Sequence, residues 1–228
     1  MIIGKGMMAH AFQKYQSDSS VLIFASGVSD SRENRESAFR REQDLLENAL
    51  SEYSGSVFVY FSTCSVYDPS MEESHYVRHK LRMEELIRQN HKQFYIFRLP
   101  QVVGATGSPT FVNFLFNRIS SSESFDVWEN ATRNLIDSED VAKIAGYFID
   151  NRLRMNETIN IASSCSHPVS VFVEVIEKLL GKKAVCNKIS CGNAYFIDTD
   201  SIRSVTEHLG ISFDEGYNER IIRKYYIK

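Results

Sequence analysis

The sequence predicts an α/β fold built on a parallel sheet, and two observations support that prediction. Short apolar runs typical of buried strands alternate along the chain with amphipathic segments typical of helices. Parallel strands need crossover connections of this kind between them. A glycine turn, Gly4-Lys5-Gly6, also separates the first predicted strand from the first predicted helix. Such a turn lets the backbone reverse tightly ahead of a helix N-terminus.

The predicted strands are short and apolar, and the gaps between them are long enough for a helix. They are Met1–Ile3, Val21–Ala25, Val57–Phe61, Phe94–Leu99 and Thr158–Ala162. Val21–Ala25 and Val57–Phe61 have apolar residues at every position and do not alternate with polar ones, which is typical of strands buried on both faces. This pattern predicts a sheet covered by helices on each side.

The predicted helices carry apolar residues at helical spacing. They are Met7–Gln16, Ser37–Tyr53, Tyr76–Gln89, Phe111–Ile119, Val141–Ile149 and Val169–Leu180. In the second, an apolar stripe that includes Leu46 and Leu50 faces the core, and we expect charged residues to cover the remaining surface. Acidic residues precede the fifth helix, and Gly181 ends the sixth.

Composition excludes several classes of protein. The chain has 228 residues, a net charge of -3 and 43% hydrophobic residues, which is ordinary for a globular protein. The charge gives no argument for a nucleic-acid or membrane partner. No apolar run approaches the roughly 18 residues of a membrane helix, so we expect a cytoplasmic protein. The four cysteines lack zinc-site spacing, and we expect no metal site.

The glycine turn is the first candidate site. Residues 4–9 read G-x-G-x-x-A between a strand and a helix. The glycines let the backbone approach a pyrophosphate, and the helix N-terminus offers N–H groups to the anion. Taken alone, the pattern also fits an ordinary tight turn.

Two further groups of residues could support chemistry. Tyr76 and Lys80 are four positions apart on one helix face, and Thr63 ends a predicted strand. An ammonium beside a phenol favours the phenolate, which can then move a proton to or from a sugar hydroxyl. Arg133, just before the acidic start of the fifth helix, can hold a diphosphate in a bidentate manner. Each feature alone is also common on protein surfaces.

In combination and in this order, these features resemble the extended short-chain dehydrogenase/reductase family, in particular its NAD-dependent sugar-nucleotide epimerases and dehydratases. The resemblance rests on the glycine turn, on Ser62-Thr63-Cys64-Ser65-Val66-Tyr67, on the Y-x-x-x-K of Tyr76 and Lys80, and on residues 97–104 and 133–142. It covers nearly the whole chain. It implies a Rossmann-like doubly wound parallel sheet with a small C-terminal substrate lobe.

The resemblance also implies roles for individual residues. Thr63, Tyr76 and Lys80 would be catalytic, with Tyr76 as the acid/base. NAD or NADP would contact residues of the glycine turn and the helix after it, the second strand end, the catalytic helix and the residue after the fourth strand, namely Gly4, Gly6, Met7, Met8, Ala25, Ser26, Tyr76, Lys80 and Pro100. A nucleotide-sugar substrate would contact Thr63, Asn113 and Arg133.

The chain departs from the family pattern in its cofactor half. Only one strand–helix unit separates the glycine turn from the Ser62-Thr63 strand, where the family has more. We expect Val21–Ala25 to be the strand leading to the nicotinamide end, so that the strands holding adenosine are missing. In the alternative alignment it is the family's second strand, with Asp30 as its acidic residue. The choice between NAD and NADP stays open.

The resemblance implies a division at residue 155. Residues 1–155 would form the dinucleotide-binding core, with parts of the substrate lobe near 105–135, and residues 156–228 would form mainly the lobe. Family members often pair through the helices that start here at Ser37 and Tyr76. The same faces could pack within the monomer, so a homodimer is left open.

Two functions from different classes follow. The first is NAD(P)-dependent reduction or epimerisation of a nucleotide-linked sugar, with surface polysaccharide synthesis as the expected setting. Dehydration is disfavoured because Cys64 and Ser65 follow Thr63, where a dehydratase would have an Asp-Glu pair. The second is a degenerate relative that acts as a non-catalytic dinucleotide sensor or scaffold. The shortened cofactor half favours the second, and the retained Thr63, Tyr76 and Lys80 favour the first.

Overall fold

A computed structural model describes residues 1–227. Its strands and helices follow one another in the alternating manner that the sequence predicts. In chain order they are β1 (Ile2–Ile3), α1 (Met7–Ala11), β2 (Val21–Phe24), α2 (Glu36–Glu52), β3 (Val57–Thr63), α3 (His75–Asn90), β4 (Phe94–Leu99), β5 (Gln101–Val103), α4 (Phe111–Ser120), β6 (Phe125–Trp128), β7 (Thr132–Arg133), β8 (Leu135–Asp137), α5 (Ser138–Asp150), β9 (Glu157–Asn160), β10 (His167–Pro168), α6 (Val169–Leu180), β11 (Cys186–Ile189), α7 (Arg203–His208) and α8 (Tyr217–Tyr226).

The central sheet has five strands in the order β1-β2-β3-β4-β9, and every neighbouring pair is parallel. In the usual dinucleotide-binding sheet, the strand order is 3-2-1-4-5-6. The first strand there lies between the second strand, on the adenosine side, and the fourth strand, on the other side. Here β2 pairs with both β1 and β3. It therefore occupies the place of the fourth strand, which supports the first of the two alignments and leaves β1 at the sheet edge.

Helices cover both faces of this sheet. On one face, Leu46 of α2 and Met83 of α3 pack against Phe58 in a fully buried cluster. On the other face, Phe12 and the α5 residue Phe148 belong to a second cluster, together with those β3 and β4 side chains that point to this face, such as Val59. Replacing one such buried side chain by alanine costs about 2 to 5 kcal/mol. The predicted doubly wound α/β fold is confirmed.

A second, smaller core forms the lobe. It packs α4, α6 and α8 around the strands β6 and β8, with Leu115, Phe172 and Ile222 at its centre. Strand β6 pairs with β11, and β5 pairs with β8. Segments from residues 105–135 and from the C-terminal part therefore share one core.

The predicted boundary at residue 155 needs a correction. Strand β9 pairs in parallel with β4 and is the fifth strand of the central sheet, not a strand of the lobe. The reason is local: Asn156 donates from its backbone to the Phe94 carbonyl and accepts from the Phe94 N–H through its side chain, so it anchors β9 beside β4.

The helix bounds differ from the prediction where side chains cap the backbone. Helix α5 begins at Ser138, three residues early, because the Asp137 carboxylate accepts a hydrogen bond from the Glu139 N–H at 2.9 Å. Helix α1 ends at Ala11 and a short 3-10 turn follows it. Helix α6 has the predicted bounds, and Gly181 follows it at φ 62°.

The C-terminal helix α8 joins the β8–α5 junction to the lobe helix α4. Lys224 and Tyr225 donate hydrogen bonds to the Asp137 carboxylate at 2.9 and 2.7 Å, and Tyr226 donates to the Asn113 side-chain oxygen. One helix thus contacts both the start of α5 and the lobe helix α4. Among residues 1–227, no helix is long and apolar enough to cross a membrane.

Candidate active site

A cavity of about 700 Å³ opens at the carboxyl ends of β1 to β4, between the sheet and the lobe. Parallel α/β sheets place their ligands at this edge. The cavity brings together most of the residues that the sequence selected, namely Gly6, Met7, Met8, Ala25, Thr63, Tyr76, Lys80, Pro100 and Arg133. Three selected residues, Gly4, Ser26 and Asn113, do not line it.

The two glycines of the turn have different structural roles. Gly4 has φ +131°, and a Cβ there would lie 2.6 Å from the Ala25 carbonyl carbon. Gly4 therefore lets the turn lie against the end of β2. A Cβ on Gly6 would meet no atom within 4 Å. Because packing within the protein does not require a glycine at position 6, the open surface there is available to a ligand.

Thr63 and Tyr76 reach the cavity from neighbouring elements. Thr63 is the last residue of β3, and its hydroxyl accepts a hydrogen bond from the Ser65 N–H at 3.0 Å. Tyr76 lies in the first turn of α3, where Ser74 caps the helix by accepting from the Val77 N–H. The Tyr76 side chain is 93% buried and packs in a cluster with Val28. Local packing thus fixes both residues at the cavity.

Lys80 lies one turn beyond Tyr76 and is 98% buried. Its Nζ donates to Glu42 Oε1 and to the Tyr60 hydroxyl, each at 3.0 Å. A Cβ on Gly27 would lie 2.6 Å from this Nζ and 2.8 Å from Glu42 Oε1, so the glycine leaves room beside the chain for this ion pair. An ammonium has three N–H donors. Two are bound within the protein, and one remains for the cavity that Lys80 lines.

Glu42 is the residue that sequence reasoning missed. The expectation that charges cover the outer surface of α2 is wrong at this position, because Glu42 is fully buried. Its carboxylate accepts four hydrogen bonds: from Lys80, from the Tyr60 hydroxyl at 2.7 Å, from His79 Nε2 at 3.0 Å and from the Val28 N–H at 2.6 Å. The carboxylate thereby connects α2 with α3, with β3 and with the segment after β2.

The charge state of Glu42 follows from these contacts. Burial alone would raise the pKa of the carboxyl, but the Lys80 ammonium and the hydrogen bonds from His79, Tyr60 and Val28 lower the pKa to about 2. Burial and the neighbouring carboxylate raise the pKa of Tyr60 well above its usual value, so the phenol keeps its proton. The spacing of Glu42 before Leu46 and Ala49, at i, i+4 and i+7, was the signal that this position faces inward.

A second buried carboxylate lies one turn after Lys80 on α3. Glu84 is fully buried and accepts hydrogen bonds from Ser62, Arg88 and Arg98, the last through two nitrogens at 2.9 and 2.7 Å. Burial alone would raise its pKa, but the hydrogen bonds from Arg98 and Ser62 lower it below its usual value. Glu84 resembles Glu42 in burial and in its cationic partners, but it makes no hydrogen bond to Lys80.

Arg133 offers a positive charge to the same cavity. One guanidinium nitrogen donates to the Thr132 carbonyl at 2.8 Å, and the guanidinium carbon lies 6.0 Å from the centre of the Phe111 ring. Among residues 1–227, no carboxylate forms an ion pair with it. The remaining donors can therefore bind an anion in the cavity.

The Asn113 side chain is used within the lobe. Its amide nitrogen donates to the carbonyls of Thr106 and Ser108 at 3.2 and 2.6 Å, and its oxygen accepts from Tyr226. The residue lines a neighbouring hollow of about 340 Å³ together with Arg32. Its contact with substrate stays a prediction. Its two hydrogen bonds fix the position of the 106–108 loop.

Several lining residues were not selected from the sequence. Among them, Arg118, Asp126 and Trp128 lie at the lobe side of the cavity. Arg118 pairs with Glu123, and its guanidinium lies over the Phe114 ring. No motif marks these positions, because the lobe brings them to the cavity through tertiary packing. Within residues 1–227, no three His, Cys, Asp or Glu side chains are grouped closely enough to hold a metal ion.

Solved structures with the same fold agree with this architecture. UDP-N-acetylglucosamine 4-epimerase from Bacillus cereus superposes with a TM-score of 0.72 at 16% identity, covering 98% of this chain and 93% of that one. UDP-glucuronic acid 4-epimerase from the same organism, in complex with UDP-glucuronic acid and NAD, gives 0.71 at 19% identity, covering 94% and 77%.

A reductase has a similar fold as well. The dTDP-4-dehydrorhamnose reductase from Clostridium acetobutylicum gives a TM-score of 0.62 at 18% identity, covering 79% of this chain and 69% of that one. These identities show a shared fold. No curated protein matches the chain in sequence.

A sequence comparison with protein families gives a match over most of the chain. The model of the family described as "NAD dependent epimerase/dehydratase family" matches residues 4–162. The matched segment runs from the first glycine of the turn to the end of the β9 region, and it includes Thr63, Tyr76, Lys80 and Arg133. With more than half of its length matched, the chain belongs to the NAD dependent epimerase/dehydratase family.

Proposed function

We propose that this protein uses NAD to reduce or epimerise a nucleotide-linked sugar. One observation carries the proposal: a single cavity is lined by Thr63, Tyr76 and Lys80 together with the glycine turn and Arg133. An acid/base phenol, an ammonium, an anion-binding turn and a free guanidinium are the groups that such chemistry requires. The epimerases and the reductase of similar fold act on nucleotide sugars according to their names, which supports this substrate class.

The residues present fit a dinucleotide. The surface at Gly6 is open to the approach of a pyrophosphate, because no protein atom lies within 4 Å of the place where its side chain would be. Gly6 directly precedes α1 and provides no side-chain cap, so no capping group blocks the first N–H groups of the helix. Lys80 has one donor left for a ribose hydroxyl. Bound NAD would accept and return a hydride in an epimerisation, and its reduced form, NADH, would donate the hydride in a reduction.

The side chains of the cavity would then divide the remaining work. Tyr76 exchanges a proton with the sugar hydroxyl as the carbon–hydrogen bond beside it is broken or formed. Thr63 accepts or donates a hydrogen bond at the same sugar oxygen and orients it. Arg133 binds the diphosphate of the nucleotide sugar and keeps the sugar ring beside Tyr76. The packing of Tyr76 against its neighbours would hold its ring in place during the proton transfer.

The proposal covers reduction and epimerisation but not dehydration. Cys64 follows Thr63 and is completely buried, with its thiol donating to the Arg98 carbonyl at 3.3 Å. Burial raises the pKa of this thiol, so it stays protonated. It does not line the cavity and supplies no acid for the loss of a hydroxyl group.

One observation favours a second candidate. Among residues 1–227, no strand lies outside β1, so the sheet lacks the strands that usually support adenosine. A sensor or scaffold that binds a dinucleotide weakly, or binds none, would tolerate this loss. The open surface at Gly6 and the ammonium at the cavity support the enzyme, since a scaffold has no need of either.

Calorimetric titration with NAD(H) and NADP(H), alone and with UDP-, dTDP-, GDP- and CDP-sugars, tests the proposal. We expect micromolar binding of a dinucleotide and turnover of one sugar nucleotide. Tyr76→Phe should reduce turnover by about 10³-fold while leaving the dinucleotide Kd within about twofold, because only the acid/base oxygen is removed. If no dinucleotide binds even with sugars present, the enzyme is excluded and the scaffold is favoured.

Three finer expectations belong to the same proposal. They are a role in surface polysaccharide synthesis, a location in the cytoplasm and a homodimer formed through α2 and α3. The last is supported by Leu81, which is 40% exposed on α3 although its neighbours Met83 and Ile87 are fully buried. Sedimentation analysis of the protein would test the dimer.

A further inference from the structure

The position of the Lys80 ammonium depends on two residues outside the cavity. Lys80 is a long, flexible side chain, and four rotatable bonds separate its charge from the helix. Glu42 and Tyr60 each bind its Nζ at 3.0 Å, and neither of them lines the cavity. The Tyr60 hydroxyl accepts from Lys80 and gives its own proton to Glu42 at 2.7 Å. Among these three side chains, Lys80 only donates, Glu42 only accepts, and the Tyr60 hydroxyl accepts from the first and donates to the second.

We propose that Glu42 and Tyr60 are positioning residues for Lys80, and that they hold two of its three N–H groups so that the third points into the cavity, where it binds a ribose hydroxyl of NAD. The inference rests on the proposed function. It adds that the orientation of the lysine is set by a carboxylate on α2 and a phenol on β3, which touch neither cofactor nor substrate.

The four donors around Glu42 make the arrangement specific. A carboxylate only accepts hydrogen bonds, and the groups around this one are all donors: Lys80, Tyr60, His79 and the Val28 N–H. An amide in the same place would turn its NH₂ group towards some of these donors. Glu42→Gln therefore keeps the size of the side chain but leaves buried donors without an acceptor, and the ammonium loses its fixed direction.

Glu84→Gln is the matched control. It makes the same chemical change in an equally buried carboxylate with cationic partners, but its hydrogen bonds go to Ser62, Arg88 and Arg98. If burial of a charge were all that mattered, both variants would behave alike. If Glu42 acts through Lys80, only Glu42→Gln should change the lysine and the binding of NADH.

The first readout needs no cofactor. In a ¹H–¹⁵N spectrum of the lysine ammonium groups, a buried and hydrogen-bonded ammonium gives a signal at neutral pH because its protons exchange slowly. We expect one such signal in the wild type, assigned to Lys80 by its loss in Lys80→Met. It should disappear in Glu42→Gln and persist in Glu84→Gln. Persistence in Glu42→Gln would overturn the inference, whether or not any dinucleotide binds.

The second readout is the Kd for NADH by calorimetry. We expect Glu42→Gln to weaken binding about tenfold and Tyr60→Phe about threefold, since each removes a hydrogen bond that directs Lys80. In Lys80→Met, adding Glu42→Gln should cause no further loss. An unchanged Kd in both single variants, or a full additional loss in the double variant, would overturn the inference. Absence of NADH binding by the wild type would instead reject the proposed function.

Tyr60→Phe keeps the inference testable should Glu42→Gln fail to fold. The phenylalanine retains the ring that packs in the α2 and α3 cluster and removes only the hydroxyl between Lys80 and Glu42. A reduced intensity of the lysine signal with a weaker NADH Kd is the expected result. A wild-type spectrum together with a wild-type Kd in this variant would contradict the role of Tyr60.

Discussion

The two sides of the β1–β2 crevice are built very differently. On the inner side, β2, β3 and β4 pair over several residues, and α2 and α3 hold two buried carboxylates against them. On the outer side, β1 has two residues, Ile2 and Ile3, and forms the edge of the sheet. The inner side contains Thr63, Tyr76 and Lys80. The sheet therefore lacks strands on the side where a dinucleotide would place its adenosine. On the side where its nicotinamide would lie, all three motif residues are present.

This difference predicts which part of a cofactor each side would bind. The inner side contributes fixed polar groups, of which the Lys80 ammonium is held from two directions. The outer side contributes backbone, because Gly4 and Gly6 shape the turn without side chains. We therefore expect binding energy to come mainly from the pyrophosphate and nicotinamide parts of NAD. Three predictions test this contrast, in order of decreasing effect.

The largest effect should come from the glycine turn. Gly4→Ala places a Cβ 2.6 Å from the Ala25 carbonyl carbon at a φ of +131°, so we expect a loss of about 3 kcal/mol or more of unfolding free energy. Gly6→Ala meets no protein atom and should change stability by less than about 0.5 kcal/mol. Urea unfolding measures both effects.

The same pair separates folding from binding. Although Gly6→Ala folds, its new methyl group would occupy the surface that a pyrophosphate approaches, so we expect NADH to bind about tenfold more weakly. Stability as poor in Gly6→Ala as in Gly4→Ala would show that both glycines serve only the fold. Unchanged NADH binding in Gly6→Ala would show that the cofactor does not reach the turn.

The buried carboxylate on the inner side should make stability depend on acid. The pKa of Glu42 is lowered to about 2 in the folded protein from 4.5 in the unfolded chain. Because the folded pKa is the lower one, the stabilisation is present above about pH 4.5 and is lost as the pH falls towards 2. The effect is on the order of 3 kcal/mol, measured as the difference between the wild type and Glu42→Gln in urea unfolding at several pH values.

Glu47→Gln is the control for this titration. Glu47 lies on the same helix and is exposed, so its replacement should leave the pH dependence of unfolding unchanged. If Glu42→Gln loses stability with acid as steeply as the wild type, the carboxylate is not the group that titrates.

The smallest effect should come from removing adenosine. Since no strand within residues 1–227 lies beyond β1, we expect reduced nicotinamide mononucleotide to bind within about tenfold of NADH, a difference of about 1.4 kcal/mol. For the same reason NADPH and NADH should differ by only about threefold, or about 0.7 kcal/mol. Competition calorimetry measures both ratios. A loss beyond about a hundredfold for the mononucleotide would show that the outer side binds adenosine after all.

The main elements could be predicted because their signals are local. Phe94–Leu99 is an apolar run with a single charged residue, Arg98, and a proline closes it, while Val169–Leu180 is an amphipathic segment that ends at a glycine. The structure gives both segments the predicted bounds. The short strands of the lobe could not be found in this way. Cys186–Ile189 is exposed along its whole length, so it has no apolar pattern, and it becomes a strand only by pairing with β6.

The site was predictable in its motif residues and not in what holds them. Tyr76 and Lys80 are visible because their spacing on one helix is a local property. Glu42 is 38 residues from Lys80, and a glutamate among many charges on α2 suggests a solvated surface. Its spacing to Leu46 and Ala49 indicates an inward position, but only the folded structure shows which three elements its carboxylate contacts. The assignment of β9 to the lobe failed for a related reason, because the pairing of a strand depends on its partner and not on its own sequence.

Helix α8 has a consequence for the way ligands enter. It is bonded to Asp137 at the end of β8 and to Asn113 in α4, and Asn113 in turn holds the 106–108 loop at the cavity. The 106–108 loop on the lobe side of the cavity is thus fixed by hydrogen bonds within the protein before any ligand arrives. Because this loop is already ordered, we expect ligand binding to cost little conformational entropy on the lobe side of the cavity.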